Sequence, residues 1–432
     1  MINIRRIVKK IVPVNLFKQV EPFGHLIEAV AANIRYGFPS RETHIIGVTG
    51  TNGKTTTAFM IHKMLSEAGY KVGMMSTVAY GIDDDIISQT EHITTARAGI
   101  LQKKLREFKR AGVDWVVLEA SSHSLAQYRT WGVPYEIVVM TNVTGDHLDY
   151  HGTMENYIGA KLRLFSIANK NKDGFGVINA DDANASKFVD SISRSITYGV
   201  DNGELRASNI VLGSDHSTFT ASVDDDKYNV KINIPGAFNV SNGLAAIAVG
   251  RKVGLSIAQI EKGLEALKGV EGRMTVVDEG QKFKVIVDFA STPDAFNMLF
   301  ESVRPATKGK LIAVFGSAGR RDEDKRATQG EIAGRYSDEV ILTEEDDRDI
   351  DGNLILKQIA VGAEKAGKVK GKDMFLILDR EKAIRFAIGR ASSANDTVVL
   401  LGKGHEKTIE RADGEYPWNE IEIAKEILRT RK

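Results

Sequence analysis

Cysteine is absent from the 432 residues of the chain. This absence excludes a disulfide framework, a zinc site built on thiolates and a cysteine nucleophile. It leaves the cellular compartment open, because a chain without thiols tolerates any redox environment. Proline is also scarce, with 8 residues against 40 glycines, so we expect glycine to make most of the turns.

Long apolar runs and an excess of one charge are missing as well. No apolar run reaches the roughly 18 residues that a membrane span needs. Lys plus Arg number 58 and Asp plus Glu 57, which gives a formal charge of +1 and argues against a general nucleic-acid coat. With 42% hydrophobic and 27% charged residues, the composition indicates a globular protein of two or three domains.

The N-terminal residues 1–42 are predicted to form a short helical arm that packs on the first domain. Residues 2–20 mix basic and apolar side chains, but they lack the continuous apolar core and cleavage site of a secretory signal. A membrane-surface helix is an alternative, which Pro13 disfavours because it interrupts the pattern. Residues 25–36 have helical periodicity, and residues 37–39 (Gly-Phe-Pro) end that helix.

A glycine-rich loop follows the first predicted strand, residues 44–49, and precedes a helical pattern. This order is the one that a phosphate-binding loop requires, since backbone N–H groups and the helix N-terminus attract phosphate. The spacing departs from the standard loop, because Val48 stands where its first glycine would be. A glycine turn without a ligand is the alternative. The loop consists of Gly50, Thr51, Asn52, Gly53, Lys54, Thr55 and Thr56.

Two further predicted strands deliver polar side chains to their carboxyl ends, where ligands bind in an open parallel sheet. One ends in Glu119, and the other leads to Asn142, Asp146 and His147. A carboxylate and an imidazole beside a nucleotide suit metal ligation, although histidines at strand ends often only pack or cap. His-Glu-x-x-His is absent, which argues against zinc hydrolase chemistry. Lys161, on the next predicted helix, looks from periodicity alone like a surface lysine.

From residue 272 the pattern is again α/β, with short apolar strands that alternate with helical stretches. The fold class is therefore α/β. We expect a central, mostly parallel P-loop-type sheet in residues 43–271, with antiparallel strands added at 205–234. A Rossmann-like domain should follow in residues 272–432. Polar clusters again follow its strands, at residues 317–326, 344–348 and 402–406.

Several segments resemble the Mur ligases, and most of all the branch that adds the third peptide residue in peptidoglycan synthesis. The strongest matches are Gly50–Thr56, Glu119–Leu125 and Asp146–Gly152. The matches continue in family order to the C-terminus at residues 179–182, 236–242, 272–274, 288–294 and 402–406. The similarity therefore spans the chain from about residue 43 onward.

This resemblance implies an ATP-dependent amide ligase that uses Mg²⁺. ATP would convert a carboxylate into an acyl phosphate, which an amino group then attacks, and cations would stabilise the crowded negative charge. It also implies that Thr55 and Glu119 hold one Mg²⁺, and that His147 and a carbamoylated Lys161 hold or support a second. Besides the loop, the implied ATP contacts are Asn242, Arg273 and Asp288, and the implied catalytic residues are Lys54, Glu119, His147 and Lys161.

The same resemblance implies two substrate sites. The muramoyl-peptide site would be lined by Thr94, Thr95, Ser121, Gln127 and Arg129, with a solvated helix face as the alternative for the last two. The amino-acid site would comprise Arg326, Glu345, Asp346, Arg348, Gly402 and Glu406. The segment Glu345–Arg348 replaces the family's Asp-Asn-Pro-Arg, and its added negative charge favours a diamino acid. It does not separate diaminopimelate from lysine, and a solvated acidic turn is the alternative. Ser291 stands where the family has a histidine near the nucleotide.

The family's N-terminal uridine-binding domain has no counterpart in residues 1–42, which are too few for a separate core. The acceptor would then be held by the other two domains, by the arm or by a partner. The resemblance implies a cytoplasmic monomer that acts on small molecules, without nucleic acid or a membrane span. Alternatives are a ligase like folylpolyglutamate synthase and a catalytically silent nucleotide-binding regulator, which the catalytic residues argue against. Neutral charge disfavours a nucleic-acid motor.

Overall fold

The computed structural model describes residues 14–89, 94–213 and 215–431. The first thirteen residues of the predicted arm, with Pro13, lie outside this part of the chain. Helix α1 (Val14–Tyr36) begins eleven residues earlier than the periodicity predicted and contains Pro22. A 3₁₀ turn, Pro39–Glu42, then leads into the first strand.

A large sheet occupies the first half of the described chain. Its order is β11-β10-β9-β8-β7-β6-β1-β5-β2-β3-β4. The seven strands from β9 to β2 pair in parallel, while β10–β11 and β3–β4 add antiparallel ribbons at the two ends. The strands are β1 (His44–Thr49), β2 (Val72–Met75), β3 (Ala79–Ile82), β4 (Asp85–Ser88), β5 (Trp115–Glu119), β6 (Ile137–Met140), β7 (Phe175–Asn179), β8 (Ser195–Gly199), β9 (Leu205–Leu212), β10 (Ser217–Val223) and β11 (Asp226–Ile232).

Helices cover both faces of this sheet, so its central strands are buried along their whole length. Because successive side chains alternate between faces, Ile45 and Val116 join one apolar cluster while Ile46 and Val117 join the other. The helices that follow α1 are α2 (Lys54–Glu67), α3 (Ala98–Arg110), α4 (Ser122–Ala126), α5 (Leu148–His151), α6 (Met154–Ala168), α7 (Ala185–Val189), α8 (Ala237–Val253) and α9 (Ile257–Ala266).

A second sheet has the order β12-β13-β17-β14-β15-β16 and is parallel apart from its first strand. A separate hairpin, β18–β19, follows it. The strands are β12 (Thr275–Val276), β13 (Lys284–Asp288), β14 (Leu311–Phe315), β15 (Glu339–Leu342), β16 (Met374–Leu376), β17 (Thr397–Leu401), β18 (Thr408–Arg411) and β19 (Gly414–Pro417). The helices are α10 (Pro293–Ala306), α11 (Asp324–Tyr336), α12 (Gly352–Lys365), α13 (Arg380–Arg390) and α14 (Glu420–Thr430).

The predicted fold class is confirmed, because a large, mostly parallel sheet with antiparallel additions precedes a second parallel-rich sheet. The two sheets are joined by one continuous apolar cluster, which extends from α8 through Leu299 and Phe300 of α10 to Ala313 of β14. The sequence did not reveal the antiparallel pairing of β2, β3 and β4. The domain limits 43–271 and 272–432 remain a proposal.

A buried ion pair ties the second sheet together at the carboxyl ends of its strands. Arg380 Nη2 lies 2.6 Å from Glu420 Oε1, and both side chains are fully buried. The same guanidinium donates to the carbonyl oxygens of Glu344 (2.9 Å) and Leu401 (2.7 Å). Glu344 and Leu401 immediately precede the two segments, 345–348 and 402–406, that the resemblance assigns to the amino-acid site. Arg380 therefore fixes the spacing between these segments.

We predict that Arg380→Ala destabilises the protein by about 3–5 kcal/mol, because it leaves the Glu420 carboxylate buried and unpaired. The matched control is Arg385→Ala on the same helix, where the half-exposed pair with Glu381 should be worth less than about 1 kcal/mol. Urea unfolding midpoints measure both. Equal effects of the two substitutions would contradict the structural role of the buried pair.

Candidate active site

The loop between β1 and α2 depends on two glycines. Gly50 has a φ of 154° and Gly53 a φ of 82°. A Cβ at Gly50 would lie 1.8 Å from Thr141 Oγ1, and one at Gly53 would lie 2.4 Å from Asn242 Oδ1. Any side chain at these positions would collide with the neighbouring strand end or helix. The loop therefore lies closely against β6 and α8.

Hydrogen bonds from neighbouring segments fix the loop. Thr141 Oγ1 donates to the Asn52 carbonyl at 2.6 Å, and the Asn52 N–H donates to Asn142 Oδ1 at 2.9 Å. Lys54 Nζ folds back over the loop and donates to the carbonyls of Gly50 (2.9 Å) and Thr51 (2.7 Å). Burial lowers the pKa of this ammonium, which the charges of Glu119 and Asp146 partly oppose. The loop thus carries a positive charge at the start of α2.

A second buried lysine meets the same carbonyl. Lys161 Nζ, on α6, donates to the Gly50 oxygen at 2.6 Å, and the residue is only 1% exposed. Burial, with the charge of Lys54 beside it, holds the pKa of Lys161 well below its usual range. The periodicity-based prediction of a surface lysine is therefore wrong, because α6 turns this position toward the loop rather than toward solvent.

Three of the predicted nucleotide-binding residues lie around the loop. Arg273 Nη2 donates to Thr55 Oγ1 at 3.3 Å, and its guanidinium lies 4.7 Å from the centre of the Phe289 ring. Asp288 accepts from the backbone N–H groups of residues 274 and 290, both at 2.7 Å. Burial raises the pKa of Asp288 and lowers that of Arg273. Asn242 lies under the loop, where its Oδ1 accepts from Thr57 at 3.2 Å.

Contacts between the two sheets close the site from the other side. Asp294, in the first turn of α10, accepts from Asn52 Nδ2 at 2.7 Å and from Thr144 Oγ1 at 3.0 Å. Together with the Arg273–Thr55 contact, these bonds join the loop to the segment that begins the second sheet. No role was predicted for Asp294, although it ends the matching segment 288–294.

The implied metal ligands lie close to the same loop. The Glu119 carboxylate is fully buried and accepts from the N–H and hydroxyl of Thr77, at 3.1 and 2.9 Å. His147 lies 3.3 Å from Asp146, and burial with Lys54 nearby lowers its pKa to about 3, which leaves a neutral imidazole. In the described ranges, no three His, Asp or Glu side chains form a metal cluster. Magnesium suits such a site, because it takes one or two carboxylates and completes its shell with phosphates and water.

The implied muramoyl-peptide residues form one hydrogen-bonded network after β5. Thr95 Oγ1 donates to the Glu119 carbonyl at 2.9 Å and accepts from the Ser121 N–H at 3.1 Å. Arg129 donates to the Thr95 carbonyl at 3.1 Å and to Gln127 Oε1 at 2.8 Å. Gln127 is buried and follows the end of α4, so the solvated-helix alternative does not hold for it. Thr94, Ser121 and Arg129 line the central cavity.

The acidic segment after β15 is more nearly neutralised than its sequence indicates. Lys403 Nζ, fully buried, lies 2.8 Å from Asp346 and 2.6 Å from Glu406. Burial raises the pKa of Glu345, and it raises that of Asp347 to about 6. The segment therefore offers less negative charge to a cationic substrate end than its sequence indicates, because the Lys403 ammonium compensates the carboxylates. Lys403 lies within the matching segment 402–406, but its pairing with the acidic segment was not predicted from the sequence.

The arginines near the amino-acid site differ in position. Arg348 lines the central cavity and is held by the Gly319 carbonyl (2.5 Å) and Glu410 (2.8 Å). Arg326 is fully buried, donates to Ala318 and Gln358, and is not part of the cavity wall. Arg321, five residues earlier, is exposed and does line the cavity. Both arginines lie in the polar cluster at residues 317–326, from which the resemblance selected Arg326, and its role at the amino-acid site stays a prediction.

One cavity of about 640 Å³ connects these parts. Its wall includes the loop, the ends of the first-sheet strands and the polar segments of the second sheet. Glu119 and Lys161 lie behind that wall rather than in it. The predicted residues that line it are Thr51, Asn52, Gly53, Lys54, Thr55, Thr56, Thr94, Ser121, Arg129, His147, Asn242, Arg273, Asp288, Glu345, Asp346, Arg348 and Glu406.

Comparisons with known proteins agree with this arrangement. Residues 48–250 match the Mur ligase middle domain, and residues 272–404 match the Mur ligase, glutamate ligase domain. The chain belongs to the Mur ligase family. Its members are ATP-dependent amide ligases, so the protein is an ATP-dependent ligase of peptidoglycan precursor synthesis, and the resemblance predicted from the motifs is confirmed.

Named relatives of this Mur ligase include two kinds of third-residue ligase. A UDP-N-acetylmuramyl-tripeptide synthetase of Roseiflexus sp. is 41% identical over 94% of this chain and 82% of its own length. A UDP-N-acetylmuramoyl-L-alanyl-D-glutamate–2,6-diaminopimelate ligase of Bacillus cereus is 37% identical, over 93% and 82%. Relatives with both names are thus similarly identical to this chain, so the names do not determine which amino acid is added.

Solved structures that resemble this chain include a ligase of the same family and a more distant protein with a similar fold. A 2,6-diaminopimelate ligase of the same description is 31% identical, with a TM-score of 0.63 over 90% of this chain and 79% of that one. A Mycobacterium tuberculosis folylpolyglutamate synthase is 16% identical, with a TM-score of 0.73 over 90% and 94%. At that identity the second likeness concerns the fold alone. In the described part of the ligase, no helix is both long and apolar enough to cross a bilayer.

Proposed function

We propose that this ligase joins a diamino acid to a UDP-N-acetylmuramoyl-dipeptide-like acceptor through an acyl phosphate. The observation that carries the proposal is the shared cavity. The nucleotide loop, the network around Thr95 and the segments at 345–348 and 402–406 all border it. A reaction between ATP, a carboxylate and an amine needs all three sites within one enclosed space. ATP as co-substrate places the reaction in the cytoplasm.

The first half of the reaction falls to the loop and its cations. Lys54 and Arg273 would face the ATP phosphates and stabilise the charge that develops as the acceptor carboxylate attacks the terminal phosphorus. The N–H groups of the loop and the start of α2 add to that stabilisation. Thr55 and Glu119 would hold one magnesium ion and His147 would hold or support a second, and these ions would supply charge neutralisation at the phosphate oxygens. The carboxylate becomes an acyl phosphate and ADP leaves.

The second half uses the opposite wall of the cavity. Arg348 and Arg321 present guanidinium groups that can pair with the carboxylate of the incoming amino acid. We infer that Arg321 takes the role that the resemblance implied for Arg326, because only Arg321 reaches the cavity. The amine then attacks the acyl carbon, an amide bond forms and phosphate leaves. Glu406 lines the cavity and would receive the cationic end of a diamino acid, in competition with Lys403.

We also propose that Lys161 works as a carbamate. The shared Gly50 carbonyl sets two lysine side chains against each other, which favours a neutral amine at Lys161. A neutral amine attacks CO₂ and loses a proton, which forms an N–C bond and leaves an anionic carbamate. The product would replace a neutral amine with an anion that attracts the Lys54 ammonium. It would also add an oxygen donor for the metal beside His147.

Lys161→Ala should lower turnover at least about 100-fold, because the metal loses a supporting ligand, and added bicarbonate should not restore it. Lys170→Ala, an exposed lysine just beyond the same helix, is the control and should keep full activity. As an independent readout, the unaltered protein in ¹³C-bicarbonate should give a carbamate resonance that Lys161→Ala lacks. Near-normal turnover of Lys161→Ala, or the same spectrum from both proteins, would remove the carbamate from the mechanism.

Phosphate release from ATP should require both an acceptor and an amino acid, because neither half-site alone completes the reaction. The measurement crosses muramoyl-dipeptide acceptors, with and without UDP, against lysine, diaminopimelate and glutamate. We expect release with a muramoyl acceptor and a diamino acid.

Folate with glutamate forms the contrasting arm of the same measurement. Release with this pair, and none with any muramoyl acceptor, would contradict the proposed function and assign a folylpolyglutamate synthase-like reaction. Release from ATP alone at the full rate would contradict the shared-cavity argument.

A further inference from the structure

Arg273 reaches the nucleotide loop with few polar contacts of its own. Among the described residues its guanidinium makes one hydrogen bond, from Nη2 to Thr55 Oγ1 at 3.3 Å, and its buried Nε has no acceptor. Two parallel bonds to a carboxylate fix the plane of a guanidinium, whereas a single long bond does not. Another contact must therefore set the orientation of this cation.

The Phe289 ring supplies such a contact. Its centre lies 4.7 Å from the guanidinium carbon of Arg273, within the range of a cation–π interaction. The backbone beneath the ring is fixed, because the Phe289 N–H donates to the Gly272 carbonyl at 2.9 Å. Asp288, the preceding residue, accepts from the Met274 N–H at 2.7 Å. The ring is therefore held beside the turn that carries Arg273.

His405 contacts the same ring from the neighbouring strand end. Strands β13 and β17 pair in parallel, and the ring centres of Phe289 and His405 lie 5.0 Å apart. The His405 side chain is buried, with 6% of the residue exposed. Gly404 permits this approach, because it has a φ of 49° and a Cβ there would lie 2.7 Å from Phe289 Cβ. The ring is thus packed against the end of β17 as well as against Arg273.

We propose that Phe289 is a positioning residue of the ligase reaction, which orients Arg273 toward the phosphates of ATP. This role rests on the proposed contact between Arg273 and those phosphates. The phenyl ring carries no charge, but it holds a cation where negative charge develops as the acceptor carboxylate attacks the terminal phosphorus. Because the cation is oriented before that charge develops, Phe289 affects turnover more than nucleotide binding.

A passive wall of the nucleotide pocket is the competing interpretation of Phe289, since the ring also lines the cavity. A wall contributes equally to the binding of ATP and of the transition state, so its loss raises KM and leaves kcat unchanged. Loss of a positioning residue lowers kcat instead. The contact with Arg273, whose hydrogen bond to Thr55 is long, favours the positioning role.

Steady-state kinetics separate the two interpretations, with the acceptor and the amino acid that support phosphate release held at saturation. Phe289→Leu removes the ring and keeps apolar bulk, so it should lower kcat at least about tenfold and change KM for ATP less than about threefold. Phe289→Tyr keeps the ring and should stay within about threefold of the unaltered protein in both constants. A raised KM with an unchanged kcat in Phe289→Leu would overturn the proposal, and so would equal losses in the two variants.

The matched control is Phe375→Leu on β16. The Arg390 guanidinium lies 4.7 Å from the centre of the Phe375 ring, but this ring is not part of the cavity wall. The control should therefore keep both kcat and KM. A loss of kcat equal to that of Phe289→Leu would overturn the proposal, because a general loss of cation–π stabilisation would then explain both variants.

A double substitution shows whether Phe289 acts through Arg273. Arg273→Lys should lower kcat, because an ammonium lacks the planar group that stacks on the ring. Phe289→Leu added to Arg273→Lys should then cost less than about twofold more, and losses that multiply would overturn the positioning role. A normal kcat of Arg273→Lys would remove the proposed phosphate contact itself. A slow Arg273→Lys beside a normal Phe289→Leu would overturn the role of Phe289 alone.

Discussion

The carbonyl oxygen of Gly50 accepts hydrogen bonds from two buried lysine side chains, Lys54 and Lys161. This contact depends on the left-handed and extended glycine geometry of the loop, on the packing of α6 and on the strand ends that hold the loop from outside. Two buried amines that share one acceptor oxygen cannot both be protonated without a large free-energy cost, because burial and like-charge repulsion both disfavour the second charge. We therefore expect one lysine to face phosphate as a cation and the other to be a neutral amine, as the proposed carbamate requires.

The second constraint is that residues associated with both sheets contact the loop. Asp294 binds Asn52 and Thr144, and Arg273 reaches Thr55, so the segment that opens the second sheet completes the nucleotide site of the first. On the far side, Arg380 sets the distance between the segments after β15 and β17. The proposed amino-acid site thus has its own rigid support, while its approach to the loop depends on a few polar contacts.

Much of the fold and part of the site could be predicted from the sequence, and the reason differs between elements. Apolar runs bounded by glycine identified strands such as β1 and β6, and the motif Gly53-Lys54-Thr55 identified the loop because its chemistry is local. Burial is not local, so periodicity placed Lys161 on the surface. The same limit applies to Arg326 and Arg321, because the sequence alone does not show which of the two lines the cavity. The counter-charge of Lys403 lay 57 residues from Asp346, beyond any sequence pattern.

The proposed function requires one cavity to hold the nucleotide phosphates on the Gly50–Thr56 loop and the incoming amino acid on the second sheet. A crystal structure with Mg²⁺, a non-hydrolysable ATP analogue and a bound diamino acid would show whether it does. We expect the terminal phosphate within hydrogen-bonding distance of Lys54 and Arg273, and the amino-acid carboxylate at Arg321 or Arg348 in the same cavity. A nucleotide bound away from the loop, or an amino acid in a separate pocket, would contradict it.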